Sequence, residues 1–410
     1  MYNQLKIIDL RSNAIIPDEI QDDFKECAYS ARIIFNDLIS QYIEFEGSSN
    51  FLSFHEPFSR NTYSSNTFYY LTTLIYLDRL LSNKNNRKYS YRIIVDSPAQ
   101  KKLLNQINNN KSFKAIISYD NAFSSYYTLV KKSILSPLKC ILFRFFQLLI
   151  TNLSGQLSCY KGLEFKNIIL IDTFLTPRNT NEKKWYGTFL DYLDKEQKES
   201  IYFVPTLTLF SLKDFFIKIP KIRKSNHQKI IKDDFISIGE YFKSIKLILK
   251  SKSYKLPSIK YKYLNISPLF QEGLSSPNDF LSLIEAYLNL IFFSKLRKQA
   301  VNVKLTIDWF EGHAIDKSWN LAVKYNFPNA KRIGNRSMIS LPFCLCTIPT
   351  RVERKKYLTP DIILLPGSAI KSIVREFDQK IQCYIAPSFR FEYLNTYLYN
   401  RSKFSNKNTT

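Results

Sequence analysis

Glu311, Gly312 and His313 stand together in the segment LTIDWFEGHAIDKSW, where an apolar run gives way to a helical pattern. Glycine lets the backbone turn sharply, which leaves a carboxylate and an imidazole at the end of a strand. Such a pair can take up or release a proton near neutral pH. Glu311 and His313 are therefore the candidate catalytic residues. A plainer use stands beside that one. Glu311 can cap the following helix at its positive amide end, and His313 can be a hydrogen-bonded structural histidine. Asp172 closes a second apolar run, NIILID, and reads either as a hydroxyl-binding group or as a turn-capping aspartate. Arg336, Arg351 and Arg354 precede the run that opens at Pro360-Asp361. A guanidinium fork there suits a phosphate, although each arginine taken singly also reads as solvated surface. Glu353 reads as a partner of those arginines, and Asp361 as a turn cap fixed by Pro360.

The elements that must hold these groups follow from apolar runs of four to eight residues bounded by Pro, Gly, Asp and Asn. Strands are predicted at 91–98, 114–120, 167–175, 201–207, 303–309, 331–334, 361–366 and 381–386. Helices are predicted at 67–81, 99–107, 135–150, 280–298, 314–325 and 368–377, with further basic-faced helices within 211–260 and a long loop over 335–360. Residues 1–60 carry polar helix signals and little pattern. Strands alternating with helices imply an α/β fold with parallel sheets, and ligands of such folds lie beyond the carboxyl ends of the strands. Three blocks are expected: 1–160, an α/β region; 161–378, a Rossmann-like lobe; and 379–410, the start of a further lobe with a frayed tail.

With 410 residues, 45% hydrophobic and 15% aromatic, the chain can bury a large core. Nine glycines, with neither GxGxxG nor GxxxxGKS/T, remove support for dinucleotide and P-loop binding. A net charge of +24 draws anions of any kind: nucleic acid, nucleotide-sugars or an anionic leaflet. Cys27, Cys140, Cys159, Cys344, Cys346 and Cys383 are few and uneven, which reads as a reduced, cytosolic chain. Cys344 and Cys346 share one face of an extended segment, as a metal pair or, more simply, as buried apolar residues. The N-terminus lacks a signal-peptide pattern, and no run of about eighteen apolar residues marks a spanning helix. Residues 135–150, LSPLKCILFRFFQLLI, read as a core helix or as one lying on a membrane surface.

Two blocks resemble bacterial surface-carbohydrate biosynthesis proteins of the two-lobed GT-B glycosyltransferase type. One is NIILIDTFL followed by KKWYGTFLDYL; the other is the ordered string from WFEGHAIDKSW through NFPNAKRIGN to LTPDIILLPG. The resemblance implies two Rossmann-like lobes and metal-free transfer of a sugar from a nucleotide-sugar, with no further cofactor. The implied acceptor is a glycan or lipid-linked group in capsule or lipopolysaccharide assembly, at the inner face of the membrane. Tyr186 and Gly187 would then line the acceptor site, and Arg336 and Arg351 would meet phosphate. In relatives the Ile-Gly strand runs into an aromatic-Gln-His set, whereas here Asn335, Arg336 and Ser337 follow. About forty residues follow Gly367, and one βαβ unit alone takes about thirty. The expectation is that the donor lobe is incomplete, or is supplied by a separate chain. Two other functions stay open. One is a sugar-nucleotide epimerase-like enzyme. The other is a non-catalytic basic protein binding nucleic acid or a partner, for which charge and abundant Tyr and Phe speak and the spread of the basic residues speaks against.

Overall fold

In order along the chain the strands are β1 (Leu5–Asp9), β2 (Ser90–Val95), β3 (Ala115–Tyr119), β4 (Asn167–Phe174), β5 (Ile201–Thr206), a short hairpin of β6 (Lys260–Tyr261) and β7 (Leu264–Asn265), β8 (Asn302–Trp309), β9 (Lys331–Asn335), β10 (Ile362–Leu365) and β11 (Gln382–Ile385). The structure is a computed structural model and describes residues 5–46, 50–83, 85–86, 89–110, 115–119, 135–154, 167–180, 183–207, 210–225, 228–337, 339 and 341–392. Asp120, Cys159 and the tail RSKFSNKNTT lie outside the described residues. The chain groups into two units, each gathered from separated stretches. The smaller holds 1–138, 248–280 and 342–346, and the larger holds 139–247, 281–341 and 347–410. The sequence alone placed breaks near 160 and 378.

In the smaller unit β1, β2 and β3 pair in parallel in that order. The helix Pro98–Asn110 links β2 to β3, the β-α-β pattern predicted there. The helix Asp18–Phe45 buries Cys27, Ala31, Phe35, Leu38 and Tyr42 at spacings of three and four, one face of a 3.6-residue period. It packs against the helix Thr67–Ser82. The Tyr42 hydroxyl donates to Ser267 Oγ at 2.9 Å, which satisfies a polar atom inside that core.

In the larger unit six strands form one sheet in the order β11-β10-β9-β8-β4-β5, every pair parallel. Parallel strands buried on both faces read as continuous apolar runs, which is why NIILI and DIILL were visible in the sequence. One face of the sheet buries Leu170, Val204 and Val303 against Phe292, Phe293, Trp319 and Val323 of the helices Phe280–Lys298 and Ala314–Asn326. The other packs Ile171 and Phe203 against Tyr186, Trp185 and Phe189. The fold is α/β and Rossmann-like, with helices flanking parallel strands.

The winding of this sheet reverses once. The chain passes from β4 outward to β5, then crosses back so that β8 lies on the other side of β4, and β9 to β11 continue in that direction. The reversal between β4 and β8 is a topological switch point, the place where such sheets open a crevice beyond their carboxyl ends. Register there contains a bulge. Ile168 pairs with Val303 but Ile169 pairs with Leu305, so Lys304 is an extra residue in β8. The shift aligns Ile171 with Ile307 on the face that packs against Tyr186 and Trp185. It therefore brings the next residues, Asp172 and Asp308, side by side on the opposite face, because side chains alternate along strands.

Predicted boundaries differ by a few residues at most for β4, β8, β9, β10 and β11. The stretch 335–360, expected to be loop, includes the short helix Arg351–Lys355. Strand β1 and the long helix Asp18–Phe45 were not predicted.

Candidate active site

Two tiers of ionisable groups occupy the switch point. The deep tier is Asp172, Asp308 and Asp316, all buried. Burial pushes the Asp172 carboxyl up to about 7, with Lys232 opposing and the Asp316 charge adding to the shift. Asp308 is raised well above the usual carboxylate range by burial and then by Asp316, although Asn320 Nδ2 donates to its Oδ2 at 2.7 Å. Asp316 is pushed up to about 6, again by burial first. One Asp172 oxygen, Oδ1, has no hydrogen-bond partner, and neither does the neighbouring Thr173 hydroxyl. An orphaned buried carboxylate oxygen is costly when charged, in keeping with a group that stays protonated to neutral pH.

Asp316 also builds the tier above. Its Oδ2 accepts the backbone N–H of Glu311 at 2.9 Å and that of His313 at 3.1 Å. The turn between them needs Gly312, whose φ of +76° is left-handed. His313 occupies the N-cap of the helix Ala314–Asn326. The turn lifts Glu311 and His313 to half-exposed positions, with 31% and 35% of their side chains open to solvent. Glu311 Oε1 accepts from Trp309 Nε1 at 2.9 Å, and its Oε2 lies 3.3 Å from His313 Nε2. Burial acts to raise this carboxyl, but His313, Trp309 and Arg390 together hold it below its ordinary value. Below about pH 7 Glu311 is thus charged where Asp172 is mostly protonated.

An aromatic wall stands beside the pair. The Trp185 and Trp309 ring centroids are 4.6 Å apart at 66°. The Arg390 guanidinium lies 4.8 Å from the Trp185 ring and 5.7 Å from the Trp309 ring. The segment carrying Arg390 is fixed by Glu392, which accepts from Thr188 N at 2.9 Å and Thr188 Oγ1 at 2.5 Å. Gly187 makes room for it: a Cβ there would stand 2.5 Å from Glu392 Oε2 and 2.6 Å from the Phe389 carbonyl.

The residues singled out in the sequence divide accordingly. Glu311 and His313 meet at the mouth, and Asp172 lies beneath them. Tyr186 is buried, and its hydroxyl donates to the Asp172 carbonyl at 2.7 Å. Gly187 seats the Arg390 segment. Arg336 is buried and donates to the Thr347 carbonyl, which props the loop before β10. Arg351 is exposed at the start of its short helix. Glu353 departs from expectation. It pairs with Lys317 at 2.6 Å, both 1% exposed, and accepts the Thr350 N–H, while Arg354 pairs with Asp378. Asp361 binds Arg332, so it is more than a turn cap. Cys344 and Cys346 are buried with their sulfurs 3.7 Å apart, and among the described residues no group of three or more His, Cys, Asp or Glu forms a metal-ligand set. Sequence reasoning missed Asp308, Asp316, Trp185, Trp309 and Arg390. The tryptophans carried a signal, since Trp is scarce here and two of three flank the flagged motifs.

A buried ion cluster, whose Lys232 acts on Asp172, continues the polar interior. Arg144 donates to Asp233 at 2.5 Å and 2.8 Å and to Glu285 at 2.5 Å. Lys232 reaches Asn289 at 2.9 Å and Glu285 at 3.3 Å. The apolar helix Ser136–Ser154 carries Arg144 into this cluster. Among the described residues no helix is long and apolar enough to cross a membrane.

Comparison of the chain with protein-family models, with curated proteins and with solved structures finds no match in any of the three.

Proposed function

We propose that the larger unit is a transferase of the glycosyltransferase type. It would move a sugar from a nucleotide-sugar to a hydroxyl of a glycan or lipid-linked acceptor in bacterial surface-polysaccharide assembly. The observation that carries this reading is the Glu311–His313 pair at the switch point, flanked by Trp185, Trp309 and Arg390. Tryptophan faces suit the C–H surface of a pyranose, and a guanidinium suits a phosphate oxygen. In the step, Glu311 accepts the hydrogen bond of the acceptor hydroxyl. The oxygen attacks the anomeric carbon, the bond from that carbon to the phosphate oxygen breaks, and the diphosphate leaves with the electron pair, facing Arg390. A carboxylate held below its ordinary value takes the proton only as the new bond forms and the hydroxyl becomes acidic. His313 is a positioning residue that fixes the orientation of Glu311. The two-lobed arrangement belongs to this proposal, on the strength of the motif resemblance.

The test is a panel of nucleotide-sugars, reading tryptophan emission for binding and release of the nucleoside diphosphate for turnover. One donor should quench emission through Trp185 and Trp309. Glu311→Gln should then cut turnover by about 10²-fold or more with donor binding kept. Turnover unchanged in both Glu311→Gln and Arg390→Ala, or a panel in which no nucleotide-sugar alters emission, would sink the proposal.

A further inference from the structure

The smaller unit contains a cleft of about 520 Å3, between the segment Glu56–Tyr70 and the helix Ser267–Ser275 with the turn that follows it. That volume lies in the range of small-molecule sites, about 300–1,000 Å3. Its lining is polar in a one-sided way. Three carboxylates, Glu56, Glu272 and Asp279, face it with six hydroxyl side chains, and among the described residues no lysine, arginine or histidine lines it. In a chain of net charge +24 this is a local inversion of sign.

The three acids are not equivalent. Asp279 has its charge matched inside the protein by Lys252 Nζ at 2.5 Å, and its other oxygen lies 3.0 Å from His55 Nδ1. Glu56 accepts from Ser64 Oγ at 2.7 Å. Glu272 is different. Its Oε2 accepts from Ser97 Oγ at 2.9 Å and from Ala99 N at 3.1 Å, and no cation of the described residues pairs with it. Its carboxyl is raised, by burial first and with the charge of Asp96 contributing. Burial first and then Asp96 raise the Tyr70 hydroxyl, which also lines the cleft, and Asp96 Oδ1 is a buried oxygen with no hydrogen-bond partner. Asp96 and Ser97 directly follow β2, so this side of the cleft lies at the carboxyl end of a parallel strand, where α/β folds bind ligands. Beside Glu272 the two sides of the cleft touch: a Cβ on Gly273 would come 2.6 Å from Thr67 Oγ1 and 2.8 Å from Pro57 Cγ. The cleft is thus a shaped space whose unmet charge is negative.

We infer that this cleft binds a small hydroxyl-bearing amine, with its ammonium facing Glu272 and its hydroxyls meeting Tyr70, Ser65 and Thr67. An anion is disfavoured here by Glu272 and Asp96 together. The ligand class therefore differs from the nucleotide-sugar proposed for the larger unit, and neither proposal depends on the other.

The probes are glucosamine, glucose and glucose 6-phosphate, which share a ring and differ in charge. Binding to the full chain is read by saturation-transfer NMR and calorimetry at about pH 6.5, where the amine is protonated. Glucosamine should bind at least tenfold more tightly than glucose, and glucose 6-phosphate should not bind. Glu272→Gln keeps an acceptor for Ser97 and Ala99 and should erase the preference for the amine. Asn278→Trp, at the exposed rim, should block binding with the unliganded melting temperature unchanged. Tighter binding of the phosphate, equal binding of glucose and glucosamine, no binding of any of the three, or binding that survives both variants would each overturn the inference. Neither substitution touches Glu311, so failure here leaves the transferase proposal to its own test.

Discussion

Asp172 shares its face of the sheet with Asp308, and burial makes each carboxyl costly to ionise. The folded value near 7 lies above the ordinary 3.8, so between these two values the folded state holds a proton that the unfolded chain has lost. This group's stabilising contribution is therefore full below about pH 4 and is lost as pH rises through 7. Asp172→Asn mimics the protonated form. It should stabilise the protein more at pH 8 than at pH 5, by about 2–3 kcal/mol, in urea titrations at the two pH values. Equal effects at both values would mean that Asp172 is ionised throughout. The sequence flagged Asp172 and Glu311 because each ends an apolar run. It could not flag Asp308, whose side of the strand is set by the extra residue Lys304. Nor could it choose a partner for Glu353, since Lys317 is far from it in the chain whereas Arg351 and Arg354 stand beside it.

At the scale of elements, the helix Ser136–Ser154 shows how composition misleads. It reads as apolar on most sides, yet Arg144 is buried against Asp233 and Glu285. Removing one partner of a buried ion cluster leaves the others charged and unmatched. Arg144→Ala should therefore cost about 3–5 kcal/mol, read as a shift of the urea midpoint with the slope unchanged. A cost below about 1 kcal/mol would mean that water reaches the cluster. The central strand β4 and its neighbour β5 were legible because both their faces are buried. Strand β1 was not, because Leu5 and Ile7 are 55% and 59% exposed and only Ile8 is fully covered. The helix Asp18–Phe45 carries a regular buried stripe from Cys27 to Ile43, but its first turns, DEIQDDFKE, are polar and obscured the period.

For the whole molecule, the interleaved order of the two units sets what can fold alone. The stretch 139–247 supplies β4 and β5 but not β8, which pairs with the other side of β4. The stretch 1–138 lacks the helix Ser267–Ser275, which packs on the helices Thr67–Ser82 and Pro98–Asn110. Fragments 1–138 and 139–247, expressed separately, should each lack a cooperative thermal transition by circular dichroism. A sharp transition in either would show that the returning segments are dispensable. The same pairing has a consequence in time. β8 begins about 130 residues after β4, on the order of ten seconds of ribosomal synthesis. For that interval β4 emerges with one edge unmatched and the apolar run NIILI uncovered, and a neighbouring nascent chain offers the same edge. Dense polysomes would then pit correct closure of the sheet against strand exchange between copies, a contest that slower initiation or a holding chaperone decides.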